Sequence, residues 1–154
     1  MISSISQVIN RAKFLLSELC PHIKVVELFP SGSTEFPLKA PTVSVGIKTA
    51  QLPYGEGAFR GKDDFGNSYY GITALVTLGL NICVPKSQSG YDCYATFDMV
   101  AAACNEIQDF NVVSLSMGEI HYNRSMGALV MPAEITLTAE FESEKSDGIG
   151  DIVG

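Results

Sequence analysis

Residues 69–83 constrain the fold most, because apolar side chains alternate there for more than ten positions (YYGITALVTLGLNIC). Even positions from 70 to 82 are apolar, whereas odd positions are mainly Gly, Thr or Asn. This period of two predicts one strand with a dry face and a wetter face. Residues 70–83 would span roughly 43 Å at about 3.3 Å per residue, whereas a domain of this size has a radius of gyration near about 15 Å. The strand should therefore project beyond its core and need a partner.

Composition predicts one globular domain and excludes several classes of protein. The chain has 154 residues, 46% hydrophobic and 18% charged, with a net charge of −7. Such an acidic balance argues against specific nucleic-acid binding, which needs basic residues for the phosphate backbone. No apolar run approaches the length of a membrane span. The amphipathic N-terminus lacks the basic region of a secretory signal, so we expect synthesis in a cytoplasm without export by that route.

The cysteine and histidine spacing does not predict a metal site. No two cysteines have CxxC spacing, and the two histidines lie far apart in sequence. Zinc sites usually use closely spaced pairs of such ligands, so none is expected. Each cysteine lies in or beside an apolar pattern, which predicts a small buried hydrophobic residue. A nucleophilic Cys–His pair using Cys20 or Cys93 is the alternative, although no acidic residue is patterned to orient either histidine.

Periodicity along the rest of the chain predicts helices over residues 4–20 and 91–108, and strands over 24–29, 42–48, 70–83, 111–122 and 127–142. The order is α-β-β-β-α-β-β. Clean alternation on one face is typical of antiparallel sheets with one covered face. We therefore predict an α+β fold: a mostly antiparallel sheet with two amphipathic helices packed on one face.

Some details of these elements can also be predicted. Ser3 or Ser4 can cap the first helix. Pro132 cannot donate to a ladder, so it marks an edge or a bulge. In the strand from residue 111 the inward residues should be Val113, Leu115 and Met117. The buried face of the second helix should carry Tyr94, Phe97, Val100, Ala101, Cys104 and Ile107.

The chain divides into one domain, residues 1–142, and an acidic, glycine-rich tail, residues 143–154, which we expect to be flexible. Within the domain, residues 51–69 (QLPYGEGAFRGKDDFGNSY) combine glycines, a proline and both signs of charge between two alternating strands. The simplest arrangement is a long hairpin with an oversized loop at 51–69.

That loop carries most of the candidate interaction residues. Its mixture of charge, aromatic groups and flexible glycines suits a segment that becomes ordered on a partner. A solvated hairpin tip, ordinary packing of the flanking tyrosines and an exposed turn arginine are the alternatives. The candidates are Tyr54, Arg60, Lys62, Asp63, Asp64, Phe65, Tyr69 and Tyr70, with Arg124 in a later turn.

Residues 3–142 resemble the tail terminator, or tail-completion, proteins of phage tails and related contractile particles. The strongest parts are YYGITALVTLGLNICVPKSQSGYDCYATFDMVAAAC and GEIHYNRSMGALVMPAEITLTAEF. The resemblance implies a structural subunit that forms a ring, typically hexameric, which caps the tail tube, stops its elongation and joins it to the neck or collar. The large 51–69 loop departs from the shorter members of the family.

The resemblance also implies the partners. They are further copies of the chain, the tail tube protein, the sheath protein and a neck or head-completion protein, with no membrane and no specific nucleic acid. It implies neither cofactor nor catalysis, and a location in a virion or tail-like particle assembled in the bacterial cytoplasm.

Two alternatives remain open at this point. Another tail component, such as a tube or head-completion protein, could share this sheet, although a tube protein should have at most one helix. A small enzyme or ligand-binding domain would need convergent polar groups in a cleft. The best local candidates for that are Glu119, His121 and Tyr122, which are predicted to lie within one strand.

Overall fold

A computed structural model describes residues 4–27, 40–52, 58–85, 90–108 and 110–143 of the chain. Within these residues the elements are α1 Ile5–Leu19, β1 Lys24–Glu27, β2 Thr42–Gln51, β3 Ala58–Lys62, β4 Ser68–Pro85, α2 Gly90–Cys104, β5 Asn111–Met117, β6 His121–Asn123 and β7 Ala128–Ser143.

The seven described strands form one mixed sheet with the order β1-β2-β4-β7-β5. β3 pairs with β4 on the side that β2 occupies, and β6 pairs with β7 on the side of β5. Only β1 and β2 are parallel among the described pairs; the others are antiparallel. The predicted α+β class and mostly antiparallel sheet fit this architecture, with β3 and β6 as two additional short strands.

The central strand β4 confirms the alternation seen in the sequence. Six even-numbered side chains of β4 are buried: Ala74, Val76, Leu78, Leu80, Ile82 and Val84. On the odd-numbered side, Thr73 and Leu75 are exposed and residues 77, 79 and 81 are half-buried. β4 has 18 residues, so it spans roughly 56 Å at about 3.3 Å per residue. We call this side of the sheet the odd face: it comprises the odd-numbered residues from 73 to 81 of β4 and their register partners on β2 and β7.

Pro132 lies inside β7, opposite a break in the neighbouring strands. β5 pairs with β7 as far as Ala133, and β6 resumes at Val130. The Gly118 N–H donates to the Pro132 carbonyl at 2.8 Å on this side. Because the proline has no N–H to offer, the partner strand is interrupted where that donor would be needed. The edge or bulge expected from the sequence is thus a gap between β5 and β6.

α1 begins at a serine cap, as predicted. The Ser4 hydroxyl accepts a hydrogen bond from the Gln7 N–H at 3.3 Å, which satisfies one of the free donors of the first turn. Val8, Ala12 and Leu16 form its buried stripe. Their spacing of four residues places them on one side of the helix.

α2 is shorter than predicted, because it ends at Cys104 rather than at residue 108. The predicted face is correct at Val100 and Cys104, which are buried, and at Phe97 and Ile107, which pack against the core. Tyr94 is exposed instead, and the buried face extends to Cys93, Thr96 and Ala103. Small apolar residues occupy several sides of this helix, so the sequence did not define a single stripe.

The predicted inward residues of β5 are only partly correct. Leu115 packs against the core, together with Val112, but Val113 and Met117 are exposed. The register with β7 shifts between Val112 and Ser114, so Val113 is the extra residue of a bulge. A bulge reverses the inside–outside alternation beyond it.

Both helices contribute to the same buried cluster as the even-numbered side chains of β4. α1 contacts β1 and β2, α2 contacts β4 and β7, and the two helices contact each other. The Cys20 thiol, at the end of α1, donates to the Met99 carbonyl of α2 at 3.6 Å.

Candidate interaction surface

The segment predicted as a long loop contains a strand. β3 pairs with the first residues of β4, from Ala58 opposite Gly71 to Lys62 opposite Ser68. β2 and β3 thus form an interrupted first strand of one long hairpin, whose second strand is β4. We call residues 58–71 the hairpin arm. Every side chain from Lys62 to Ser68 is exposed, so this end of the arm lies outside the core.

A compact turn over residues 63–67 closes the arm. The Gly66 N–H donates to the Asp63 carbonyl at 3.0 Å, and the Asp63 N–H donates to the Asn67 carbonyl at 2.9 Å. The Asp63 carboxylate accepts from the Phe65 N–H at 2.9 Å and from the Asn67 N–H at 2.8 Å. Gly66 has φ +82°, which favours glycine at this position. The tip is therefore an organised turn held by four hydrogen bonds.

This turn presents an aromatic side chain to solvent. Phe65 is 90% exposed, far more than any other large hydrophobic residue of the described chain. Lys62 precedes the turn, Asp64 lies within it, and both are also exposed. Phe65 with these charged neighbours is therefore the main candidate for contact with a partner.

The base of the arm is stabilised by an aromatic pair. The rings of Phe59 and Tyr70 lie 5.8 Å apart in an edge-to-face arrangement, with an interplanar angle of 75°. Tyr70 is half-buried, so packing accounts for part of its role. Tyr69 pairs with Gly61 through the backbone. Tyr54 lies outside the described residues.

Arg60 lies beside a small polar network on the odd face. Its guanidinium donates to the Thr73 hydroxyl at 3.0 Å, and that hydroxyl donates to the Glu140 carboxylate at 2.6 Å. Arg60 also lies 2.9 Å from the second carboxylate oxygen of Glu140, close enough for an ion pair but without hydrogen-bond alignment. These contacts attach β3 to β4 and β7, so Arg60 is engaged within the chain.

Arg124 does not join the other candidates. It is exposed in the turn between β6 and β7, and Ala128, just after that turn, pairs with Pro85 at the far end of β4. The tip precedes Ser68 at the opposite end, roughly 56 Å away along a strand rising about 3.3 Å per residue. The structure thus brings together residues 60–65 and Tyr70, and separates them from Arg124.

A second surface feature lies on the odd face, where two glycines face each other. Gly46 of β2 pairs with Gly79 of β4, and the absence of two side chains leaves a shallow depression of about 580 Å³. Lys48 of β2 and Glu134, the β7 partner of Gly79, form an ion pair beside Gly79, and Pro132 also lines the depression. We call it the glycine groove. Its sequence signal is glycine inside two alternating strands, which marks close approach of another group.

Burial disfavours the cysteines as nucleophiles. All four are free and buried. Burial raises the pKa of the Cys83 thiol to about 12, with a further contribution from nearby Cys93, and raises that of Cys104 to about 11, with a contribution from Cys20. At neutral pH these thiols stay protonated, and the thiol is much less nucleophilic than the thiolate.

The alternative site in GEIHY is an exposed connection. Glu119 lies between β5 and β6 rather than within a strand, which corrects the predicted placement, and His121 begins β6. Glu119, His121 and Tyr122 are all exposed. In the described part of the chain, no group of three His, Cys, Asp or Glu residues is arranged to hold a metal ion.

None of the described helices is long and apolar enough to cross a membrane. No protein-family model matches the chain, and no curated protein matches its sequence.

Proposed function

We propose that this protein is a structural subunit of a phage-tail-like particle. Its copies form a ring, six in number by the resemblance, that caps the tail tube, stops its elongation and joins it to the neck or collar. The hairpin arm is the observation that carries this proposal, because an exposed strand pair ending in an exposed phenylalanine suits contact between subunits.

The proposed cap needs two different ends. A tube that presents the same open end after each added ring keeps growing, so termination requires a subunit that binds that end without recreating it. A closed ring with cyclic symmetry has distinct upper and lower surfaces and satisfies this requirement. In this proposal the protein performs no chemistry and needs no cofactor.

The proposal includes an arrangement of the two layers. Both helices cover the face of the sheet that carries the even-numbered residues of β4, and the odd face stays open for neighbouring subunits. Burial of α1 and α2 residues in one cluster with those side chains supports this arrangement. An open face with neutral residues such as Thr77 and Thr136, whose hydroxyl oxygens lie 3.4 Å apart, suits burial between copies better than a highly charged one would.

The described elements favour a terminator over a tube protein, because two helices exceed what a tube subunit should contain. An enzyme is less well supported, since in the described part of the chain the thiols are buried and the polar residues of GEIHY are exposed rather than convergent in a cleft. The partners in this proposal are further copies, the tube, the sheath and a neck or head-completion protein, within a particle assembled in the bacterial cytoplasm.

Electron microscopy of particles from a strain lacking the gene tests the proposal. Tails should be abnormally long or unattached, and the wild-type gene should restore normal length. Normal tail length in the deletion strain would refute the proposal.

A shortened arm refines this test. Ala58 and Gly71 are already register partners, so replacing residues 59–70 with Asn-Gly joins them by a two-residue turn suited to antiparallel strands. The shortened protein should fold, as judged by circular dichroism, but should fail to restore tail length. A shortened protein that restores normal tails would remove the arm from the mechanism.

A further inference from the structure

We infer that the hairpin tip of one copy docks into the glycine groove of the next copy, with Phe65 as the anchor. This inference deepens the proposed function, since it assigns the contact that joins subunits. It depends on two surfaces that lie on the same chain and differ in shape: an exposed ring on a hydrogen-bonded turn, and a depression on the odd face of the sheet.

The backbone of the tip is already held by hydrogen bonds within its own chain. Phe65 is 90% exposed, and the Asp63 carboxylate fixes the backbone on both sides of it. Little conformational entropy is therefore lost when the ring becomes buried, which favours affinity. Aromatic side chains that enter pockets commonly dominate the energetics of protein interfaces.

The groove has the size and lining for an aromatic side chain. Its volume of about 580 Å³ falls within the range of roughly 300–1,000 Å³ that accepts small ligands. The Gly46–Gly79 pair lies within it, and Pro132, which pairs with Asn81 of the odd face, supplies apolar lining.

The charges on the two surfaces are complementary. The tip exposes Lys62 and Asp64, and the groove rim carries Lys48 and Glu134. Lys48 and Glu134 already pair with each other, and each can in addition face the tip residue of opposite sign in the proposed contact. Pairs of this kind mainly fix orientation, and salt screens them.

The two surfaces of one chain cannot meet each other. The tip ends at Asn67, and Gly79 lies twelve residues further along a continuous strand, roughly 40 Å away at about 3.3 Å per residue. The groove must therefore receive the tip of another copy. A contact between two different surfaces is heterologous, and repeating it produces a ring when the rotation closes.

Four variants test the contact in solution. Phe65→Ser removes the anchor, and Phe14→Ser is its matched control, because Phe14 is 54% exposed on α1. Gly79→Leu fills the groove, and Gly79→Ala is too small to fill it. A Cβ at residue 79 would lie 3.7 Å from the Lys48 Cβ, an ordinary contact, so G79A should preserve the fold, and the fold of the larger G79L variant is checked directly.

Sedimentation velocity of each purified full-length protein gives the readout. F65S and G79L should weaken self-association about 30-fold or more, whereas F14S and G79A should assemble like the wild type. Circular dichroism confirms folding of each variant.

Mixing F65S with G79L is the decisive experiment. The F65S copy keeps an intact groove, and the G79L copy keeps an intact tip, so the mixture should form a complex of twice the 16.5 kDa chain mass. That complex should grow no further, because its remaining tip and groove are both altered.

Three results would overturn the inference: assembly of F65S or G79L like the wild type, a mixture that stays monomeric, or a wild-type protein that does not self-associate. Rings that persist in F65S would refute only this contact and leave the proposed cap standing. Normal tails in the deletion strain would refute the cap while leaving this self-association contact intact.

Discussion

Replacing Asp63 with alanine should loosen the turn that presents Phe65. The substitution removes the acceptor of two backbone hydrogen bonds, of 2.9 Å to the Phe65 N–H and 2.8 Å to the Asn67 N–H. Because both are exposed, each contributes about 0.5–1 kcal/mol, so D63A should lower the free energy of unfolding by about 1–2 kcal/mol. In a chain of this size that corresponds to a decrease in Tm of about 2–8 °C.

Two neighbouring variants serve as controls in urea unfolding followed by circular dichroism. Asp63→Asn keeps a side-chain oxygen that can accept both bonds, so it should lose less than half as much stability. Asp64 accepts no hydrogen bond from the described residues, so D64A should unfold like the wild type. Amide hydrogen exchange should also be faster at residues 65 and 67 in D63A. Equal stability and exchange in D63A and D64A would refute the assignment of Asp63 as the organiser of the tip.

Two further predictions concern the cysteines and the glycines. The pKa values of Cys83 and Cys104 are about 12 and about 11 in the folded chain, above the usual 9.0. The thiols therefore ionise first in the unfolded chain, and the free energy of unfolding should fall as pH rises from 9 towards 12. The urea midpoint should fall less between pH 8 and 10.5 in a C83A/C104A double variant than in the wild type, and an identical fall would contradict this. A Cβ at Gly118 would lie 3.0 Å from the Pro132 ring, so G118A should lower the free energy of unfolding by about 1–2 kcal/mol. G79A has room for its Cβ, so it should leave the free energy of unfolding unchanged or raise it by about 0.5–1 kcal/mol. Equal urea midpoints for the two glycine variants would refute this difference.

The elements that the sequence predicted well have one buried face and one polar or exposed face. The alternation in β4 and β7 survives because one side of each strand is buried and the other is polar or exposed. The buried face of α2 was predicted correctly except at Tyr94, and its extension to Cys93, Thr96 and Ala103 was missed because small apolar residues lie on several sides of the helix. Val113 was misplaced because a bulge in an edge strand leaves no clear local signal.

The candidate surface was predicted in part. Residues 60–65 were identified by composition, and Asp63 followed by Gly66 is a recognisable turn signal that would have reduced the loop to a compact tip. The groove was not predicted, because Gly46 and Gly79 lie far apart in sequence and meet only through the register of β2 and β4. Sequence periodicity indicates that a strand exists, but not which residues of two strands lie opposite each other.

The uninterrupted pairing of β4 with β7 has a consequence for how the chain folds. β4 and β7 pair over sixteen consecutive positions, from Tyr70 opposite Ser143 to Pro85 opposite Ala128. These partners are separated by 43 to 73 positions along the chain. Contacts of such long range form slowly, because a large loop must close before any of them is gained.

During synthesis, β4 therefore emerges from the ribosome well before the strand that completes it. Until β7 arrives, one edge of β4 lacks its partner and its even-numbered apolar side chains lack part of their cover, a state prone to aggregation. Chaperone binding after residue 85 has emerged and before residue 143 emerges would protect the nascent chain from aggregation. Slower translation after residue 143 would give no such protection. The sheet is therefore complete only after the second half of the chain has been synthesised and β7 has paired with β4.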